Sequence, residues 1–195
     1  MLQRWDQRVR EGRAVAACAG AAERDAGGEA GARLSYNAGI SACEKGKQWQ
    51  PALSLLSEMR EAKLEPDVIS YSTGISACEK SEQWQRALAL LSKMWEAKLE
   101  PDVIFSYNAG ISACEKSEQW QPALSLLSEM WEAKLEPDVI SYSAGISACE
   151  KGEQWQPALA LLSEMREAKL EPDSATTLGS ARARKASSGS GRSRC

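Results

Sequence analysis

From Tyr36 onward the apolar residues return at helical spacing. Tyr36, Ile40 and Cys43 fall at i, i+4 and i+7, on one face of a helix predicted from Tyr36 to Lys45. Ser35 stands where an N-cap belongs, and Gly46 ends the helix, as Ser81 and Ser117 do further along. A second helix is predicted from near Gln48 to about Lys63, with Ala52, Leu53, Leu55, Leu56 and Met59 forming a broad apolar stripe. Pro51 falls in its first turn, where a missing N–H has no intrahelical bond to lose. Pro66 closes the unit, because the residue before a proline avoids the helical region.

The whole pattern then recurs. The stretch SYNAGISACEKGKQWQPALSLLSEMREAKLEPDVI begins at Ser35 and returns at Ser70, at Ser106 and, shortened, at Ser141, in steps of 35, 36 and 35 residues. The longer step contains one extra residue, Phe105. The first and third copies differ at only three of 35 positions, so every hairpin can pack on its neighbour through the same surface. A two-helix unit of this size cannot bury its apolar stripe alone, whereas stacked units can. The predicted fold is therefore all-α, a solenoid of four tandem helix-turn-helix repeats.

Composition narrows the chemistry. The 195 residues contain no histidine, which excludes His-dependent triads, His-ligated metals and His acid–base catalysis. Cys43, Cys78, Cys114 and Cys149 recur once per repeat without the close pairing that a metal site needs, and read as small buried core residues. Gly39, Gly74, Gly110 and Gly145 lie inside the first helix of each repeat, where glycine is unfavourable, and point to close helix–helix approach. Trp49, Trp84, Trp120 and Trp155, at the start of each second helix, are expected in the hairpin core. Arg60, Trp95, Trp131 and Arg166 share one position, an alternation that fits a surface. No run approaches the ~18 apolar residues of a membrane span.

The sequence SYNAGISACEKG, followed by ALSLLSEM and then LEPDVI, resembles the pentatricopeptide repeat, and the resemblance covers some 70% of the chain. It implies a right-handed α-solenoid divided into repeats over 33–67, 68–102, 103–138 and 139–173, after an N-terminal segment over 1–32 and before a basic tail over 174–195. Its further implication is binding of single-stranded RNA at one base per repeat, in the service of organellar RNA processing or stability. By resemblance the base edges are read by Asn37 with Asp67, Ser72 with Asp102, Asn108 with Asp138, and Ser143 with Asp173. Asn with Asp favours uracil and Ser with Asp guanine, so the array reads UGUG with its N-terminal repeat toward the 5′ end. Leu34, Ile69, Phe105 and Ile140 would clamp the base faces, and Lys45, Lys80, Lys116 and Lys151 would meet phosphates. Phe105 has two readings: counted back from Tyr107 it is the clamp, and counted forward from Asp102 it is a bulge between repeats.

Charge moderates that expectation. Residues 35–173 carry 13 basic and 22 acidic side chains, a net of −9, although the whole chain is only −3. Since phosphate neutralisation supplies much of nucleic-acid affinity, binding is expected nearer micromolar than nanomolar. Four clamped bases contribute roughly 4–12 kcal/mol before ordering costs. A four-base site also suits an accessory binder, or a piece of a longer array, better than a stand-alone regulator. The alternative is a protein-binding helical scaffold, which the acidic repeats and Trp95 and Trp131 favour. Catalysis is the weakest reading: deaminating members of the family carry a zinc domain with H-x-E and C-x-x-C patterns, and this chain has neither. No cofactor, small-molecule substrate or membrane partner is expected. Arg4, Arg8, Arg10 and Arg13 suit a plastid or mitochondrial transit peptide, whereas Asp6, Glu11, Glu23, Asp25 and Glu29 do not. Arg182, Arg184, Lys185, Arg192 and Arg194 in an acid-free Ser/Gly tail are also compatible with the cytoplasm or nucleus.

Overall fold

The computed structural model describes residues 28–99 and 103–171; the expectations for the N-terminal segment and the basic tail fall outside them. The described residues form eight helices and no strand. They are α1 (Gly28–Lys45), α2 (Trp49–Glu61), α3 (Val68–Lys80), α4 (Trp84–Glu96), α5 (Val103–Lys116), α6 (Trp120–Glu132), α7 (Val139–Lys151) and α8 (Trp155–Glu167). They group into two compact units, α1–α4 and α5–α8, each built from two hairpins.

Helix starts differ from the sequence expectation. Ser35 is no N-cap: it lies inside α1, with its hydroxyl donating to the Gly31 carbonyl at 3.2 Å. The caps are Asp67 and Asp138, with extended backbones and carboxylates that accept from the Ser70 and Ser141 N–H groups at 2.9 and 2.8 Å. Each serine answers by accepting the N–H of its aspartate, so both helices open with a reciprocal capping box. Ser is thus the third helical residue. Asp takes the cap because only it precedes the amide that an N-cap must reach.

Helix ends differ as well. Gly46 does not take up the left-handed conformation; the next residue, Lys47, does, at φ 55°. Lys63 follows suit at φ 58°, and its N–H bonds the Arg60 carbonyl while Leu64 N–H reaches back to Met59. This paired closure satisfies two carbonyls that the helix leaves open, and buries Leu64 against the helix it ends. Every helix of the array that is followed by a described turn is closed by Lys or Glu in this way, although an L-residue there costs about 1–2 kcal/mol relative to its right-handed form.

Within the first unit α1 and α3 lie side by side, and α2 packs against both. Ile40, Leu55, Met59 and Ile75 are fully buried among these helices, and α4, which packs on α3, buries Met94. The second unit repeats this: α5 contacts α7, α6 packs on both, and Ile111, Met130, Ile146 and Met165 fill its core. Burying one such side chain stabilises by about 1.5–3 kcal/mol, so two stacked hairpins supply what one could not. The glycines permit this proximity. A Cβ on Gly74 would stand 2.9 Å from Leu56 Cδ1, and one on Gly145 would stand 2.6 Å from Leu127 Cδ1.

The tryptophans are a correction. Trp49, Trp84, Trp120 and Trp155 are only half-buried, and Trp49 and Trp120 each reach the following hairpin of their unit. The Arg86 guanidinium lies 5.8 Å from the Trp49 ring, and a Cβ on Gly152 would meet Trp120 Cδ1 at 2.5 Å. Ser81, at the place Gly152 holds in the second unit, donates to the Lys47 carbonyl of the preceding turn at 3.0 Å. The Arg/Trp position is exposed, as expected, and also ties hairpins together: Arg60 donates to the Tyr71 hydroxyl and sits 5.7 Å from its ring.

Candidate functional site

The first helix of each hairpin carries the candidate residues, and helical geometry spaces them. Ile69 and Ser72 lie three apart on α3 and so share a face; Leu34 with Asn37, Phe105 with Asn108, and Ile140 with Ser143 repeat that spacing. Leu34 is 71% exposed, Ile69 62%, Phe105 60% and Ile140 62%, in helices whose other large apolar residues are mostly buried. An apolar side chain left in water at the same place in four hairpins is not required by either core.

Beside each apolar residue the polar chemistry takes two forms. Where that polar residue is Asn, it is held by the cap of the following hairpin. Asn37 Nδ2 donates to Asp67 Oδ1 at 3.4 Å, and Asn37 Oδ1 accepts from the Ser70 hydroxyl at 2.6 Å. In the second unit Asn108 Nδ2 lies 3.2 Å from both carboxylate oxygens of Asp138, and Ser141 Oγ lies 2.5 Å from Asn108 Oδ1. Two residues that the sequence links only across 30 positions are therefore brought into contact, and in both units. Ser72, at the same position of the second hairpin, turns its hydroxyl inward and donates to the Val68 carbonyl of its own helix. Asp102 and Asp173, the expected partners of Ser72 and Ser143, lie outside the described residues.

The Asp67 carboxylate has a defined electrostatic setting. Burial opposes its ionisation, but the Ser70 N–H and hydroxyl, the Asn37 amide and the nearby Arg33 charge outweigh that and hold its pKa below the ordinary value. The carboxylate is thus a permanent acceptor at neutral pH. The cysteines are inert by contrast. Burial pushes Cys78 and Cys149 up to about 11 and Cys114 to about 12. No group of three potential metal-ligating residues occurs among the described residues.

The lysines at the ends of the first helices are not equivalent. Lys45 is exposed, whereas Lys80 bonds Glu44 Oε1 at 2.7 Å and Lys151 bonds Glu115 Oε1 at 3.2 Å. Each pair reaches from one hairpin to the one before it. Sequence reasoning did not single out Glu44, Glu115, Ser70 or Ser141. Asp-x-x-Ser before an apolar helix was the available signal for the serines. A groove of 520 Å³ bounded by Arg60, Lys63, Leu64, Glu65, Pro66 and Tyr71 contains none of the candidate contacts.

The extra residue at the third hairpin lengthens a helix. α5 has 14 residues where α3 and α7 have 13, and Phe105 lies within it, exposed. Ser106 follows Asp102 by four residues, not three, and its buried hydroxyl has no hydrogen-bond partner.

Fold and site together define a helical-repeat scaffold with one exposed apolar side chain and one neighbouring polar residue per hairpin. The chain belongs to the pentatricopeptide repeat family: the PPR repeat family matches residues 34–80 and 103–151, and the PPR repeat matches 69–99 and 140–170. No curated protein matches the chain. Among solved structures it is similar in fold to the maize pentatricopeptide repeat protein PPR10 in complex with an 18-nt psaJ RNA element, at 22% identity and a TM-score of 0.64, over 77% of this chain and 22% of that one. A triple cysteine-to-serine variant of PPR10 with the same RNA element gives 24% identity and a TM-score of 0.66, over 80% and 24% of the two chains. The PPR domain of Arabidopsis thaliana protein-only RNase P 1 in complex with tRNA gives 15% identity and a TM-score of 0.67, over 78% and 80%. The chain thus spans about a quarter of the length of the PPR10 chains it matches.

Proposed function

We propose that this protein binds single-stranded RNA, one base per hairpin, with each base held between exposed apolar side chains and read by the neighbouring polar residue. The observation that carries the reading is the recurrence of Leu34, Ile69, Phe105 and Ile140, exposed at one position of every hairpin, three residues before Asn37, Ser72, Asn108 and Ser143. A base removed from its stack offers two apolar faces and one hydrogen-bonding edge, and this pairing of side chains answers both needs. Family membership supports the same reading, as do the RNA complexes in which the similar PPR10 and RNase P 1 folds are found. Asn37 with Asp67 and Asn108 with Asp138 are assigned to uracil, Ser72 with Asp102 and Ser143 with Asp173 to guanine, and UGUG is the proposed site. Phe105 is the third clamp, stacking more broadly than the aliphatics it replaces. Lys45, Lys80, Lys116 and Lys151 are assigned to phosphates.

The protein is assigned a binding role without catalysis, in organellar RNA processing or stability, a placement that rests on family membership alone. Affinity is expected near micromolar, because the repeat region carries a net charge of −9. Titration of fluorescent UGUG- and AAAA-containing RNAs tests the code, together with Asn37→Ser/Asn108→Ser, which should move the preference toward GGGG. Equal affinity for every homopolymer would remove it. A second reading, a scaffold for a protein partner, is favoured by that negative charge and by Trp95 and Trp131, exposed by 39% and 48%. It predicts no RNA affinity even at low salt.

A further inference from the structure

Asn37 is held at two points, and only one of them belongs to the base-reading pair. Asp67 Oδ1 takes the amide nitrogen; Ser70 Oγ, fully buried, lies 2.6 Å from the amide oxygen and 2.8 Å from the same Asp67 oxygen. The second unit repeats the arrangement, with Ser141 Oγ 2.5 Å from Asn108 Oδ1 and 3.0 Å from Asp138 Oδ1. We propose that Ser70 and Ser141 are positioning residues that fix the amide planes of Asn37 and Asn108, and thereby set the choice of uracil over cytosine at those two bases. The inference rests on the base-reading proposed above and deepens it.

The chemistry follows from counting donors and acceptors. An asparagine amide has two N–H donors and two oxygen lone pairs. Asp67 Oδ1 and Ser70 Oγ stand 2.8 Å apart, so they occupy the N–H and the lone pair that share one edge of the amide, and the second N–H, on the other side of the nitrogen, is left to face a base. Uracil offers that N–H a carbonyl oxygen. Cytosine carries an amino group at the same place, donor against donor. Reversing Asn37 would set its oxygen against the Asp67 carboxylate, acceptor against acceptor. Held by Asp67 alone, the amide still pivots about that single contact, and its free N–H swings out of the base plane. The serine is the second hold. Completely buried, it reaches no base itself.

The third copy of the same serine supplies a contrast. Ser106 is as buried as Ser70 and Ser141, yet its hydroxyl has no partner. Asp102 precedes Ser106 by four residues instead of three, so the spacing of the other two boxes is absent. Within each unit, the serine that follows an asparagine hairpin engages that asparagine.

The test uses the full chain with Ser70→Ala/Ser141→Ala and, as the conservative counterpart, Ser70→Thr/Ser141→Thr, each shown by thermal melting to be folded. Affinities for UGUG and CGCG RNAs are compared, and for UAUA as a control on the bases read by serine. The Ala variant should lose about fivefold or more of the uracil-over-cytosine ratio, with the guanine-over-adenine ratio unchanged; the Thr variant should keep both. A uracil-over-cytosine ratio unchanged in a folded Ala variant overturns the proposal, and so does an equal fall in both ratios, which a merely structural role would give. A second readout needs no RNA. Side-chain amide exchange at Asn37 and Asn108, followed by NMR in the free protein, should be slow in the wild type and Thr variant and faster in the Ala variant. Equal exchange in all three overturns the hold. If no RNA binds the wild type while this difference is present, the base-reading fails and the two-point hold stands.

Discussion

Lys80 Nζ stands 2.7 Å from Glu44 Oε1, one hairpin back along the chain, and Lys151 stands 3.2 Å from Glu115 in the same relation. The lysines are those assigned to phosphates, and the glutamates occupy the groups a phosphate would take. Such partly exposed pairs are worth about 0.2–1 kcal/mol each, so a phosphate can displace the carboxylate at small expense. Until it does, the pairs hold successive hairpins together.

Glu44→Gln/Glu115→Gln should therefore tighten RNA binding by about two- to tenfold at low salt. Freeing two lysines for phosphate should also steepen the salt dependence, by up to about 1.4 in the slope of log affinity against log salt. Titrations across a range of salt concentrations measure both. Affinity that is unchanged, or weaker, would show that Lys80 and Lys151 do not face the RNA backbone.

Gly145 lets α7 approach Leu127 and Leu161, and Gly74 does the same for Leu56 and Leu90. Alanine at an ordinary helix position gains about 1 kcal/mol over glycine. Here its methyl would fall 2.6 Å from Leu127 Cδ1, and overpacking of a tight core costs about 1–3 kcal/mol. Gly145→Ala is expected to destabilise by about 1 kcal/mol, and Leu127→Val, which removes the δ-methyls, should lose less in that background than alone. Denaturant melts of the four proteins of this cycle decide it; additive losses would mean that the two sites do not touch.

The repeat and its two helices were legible because their apolar positions recur at 3.6-residue spacing four times over. Tyr36, Ile40 and Cys43 are indeed on the buried face of α1. What the sequence hid lies in choices between chemically similar neighbours. Both Asp67 and Ser70 can cap a helix, and one turn of geometry decides between them. Gly46 and Lys47 can both follow a helix end, yet the closing hydrogen bonds place the left-handed residue at Lys47. The tryptophans read as hairpin core because a single repeat says nothing of its neighbour, and the contacts of Trp49 and Trp120 cross to the next hairpin of their unit. The contact of Asn37 with Ser70, 33 residues apart, was out of reach for the same reason.

The cysteines of the core should be silent to alkylation. Burial raises Cys78 and Cys149 to about 11 and Cys114 to about 12, so at pH 8 almost none of each is thiolate, and the sulfur is also covered. Iodoacetamide treatment followed by peptide mass analysis should leave these three unmodified in the folded protein and label all of them in denaturant. Labelling of Cys114 under native conditions at the rate of a free thiol would contradict the packing of α5.

Asp67 makes the last test, because its carboxylate joins a helix cap to Asn37 of the preceding hairpin. Its folded pKa lies below the ordinary 3.8, so the unfolded chain binds its proton first as pH falls. A depressed carboxylate contributes stability that is fully present above the unfolded value and is lost as pH falls through the folded one. Asp67→Asn keeps a capping oxygen and removes the charge. The wild type should therefore be more stable than Asp67→Asn at neutral pH, and the margin should shrink only below about pH 4 and close in stronger acid. Asp67 is partly exposed, so the margin will be modest and should fall with added salt. Thermal melts of the two proteins from pH 7 to pH 2 measure it. A difference that stayed constant across that range would mean that the cap works through its hydrogen-bond geometry alone, and that the charge on Asp67 does not help to hold Asn37.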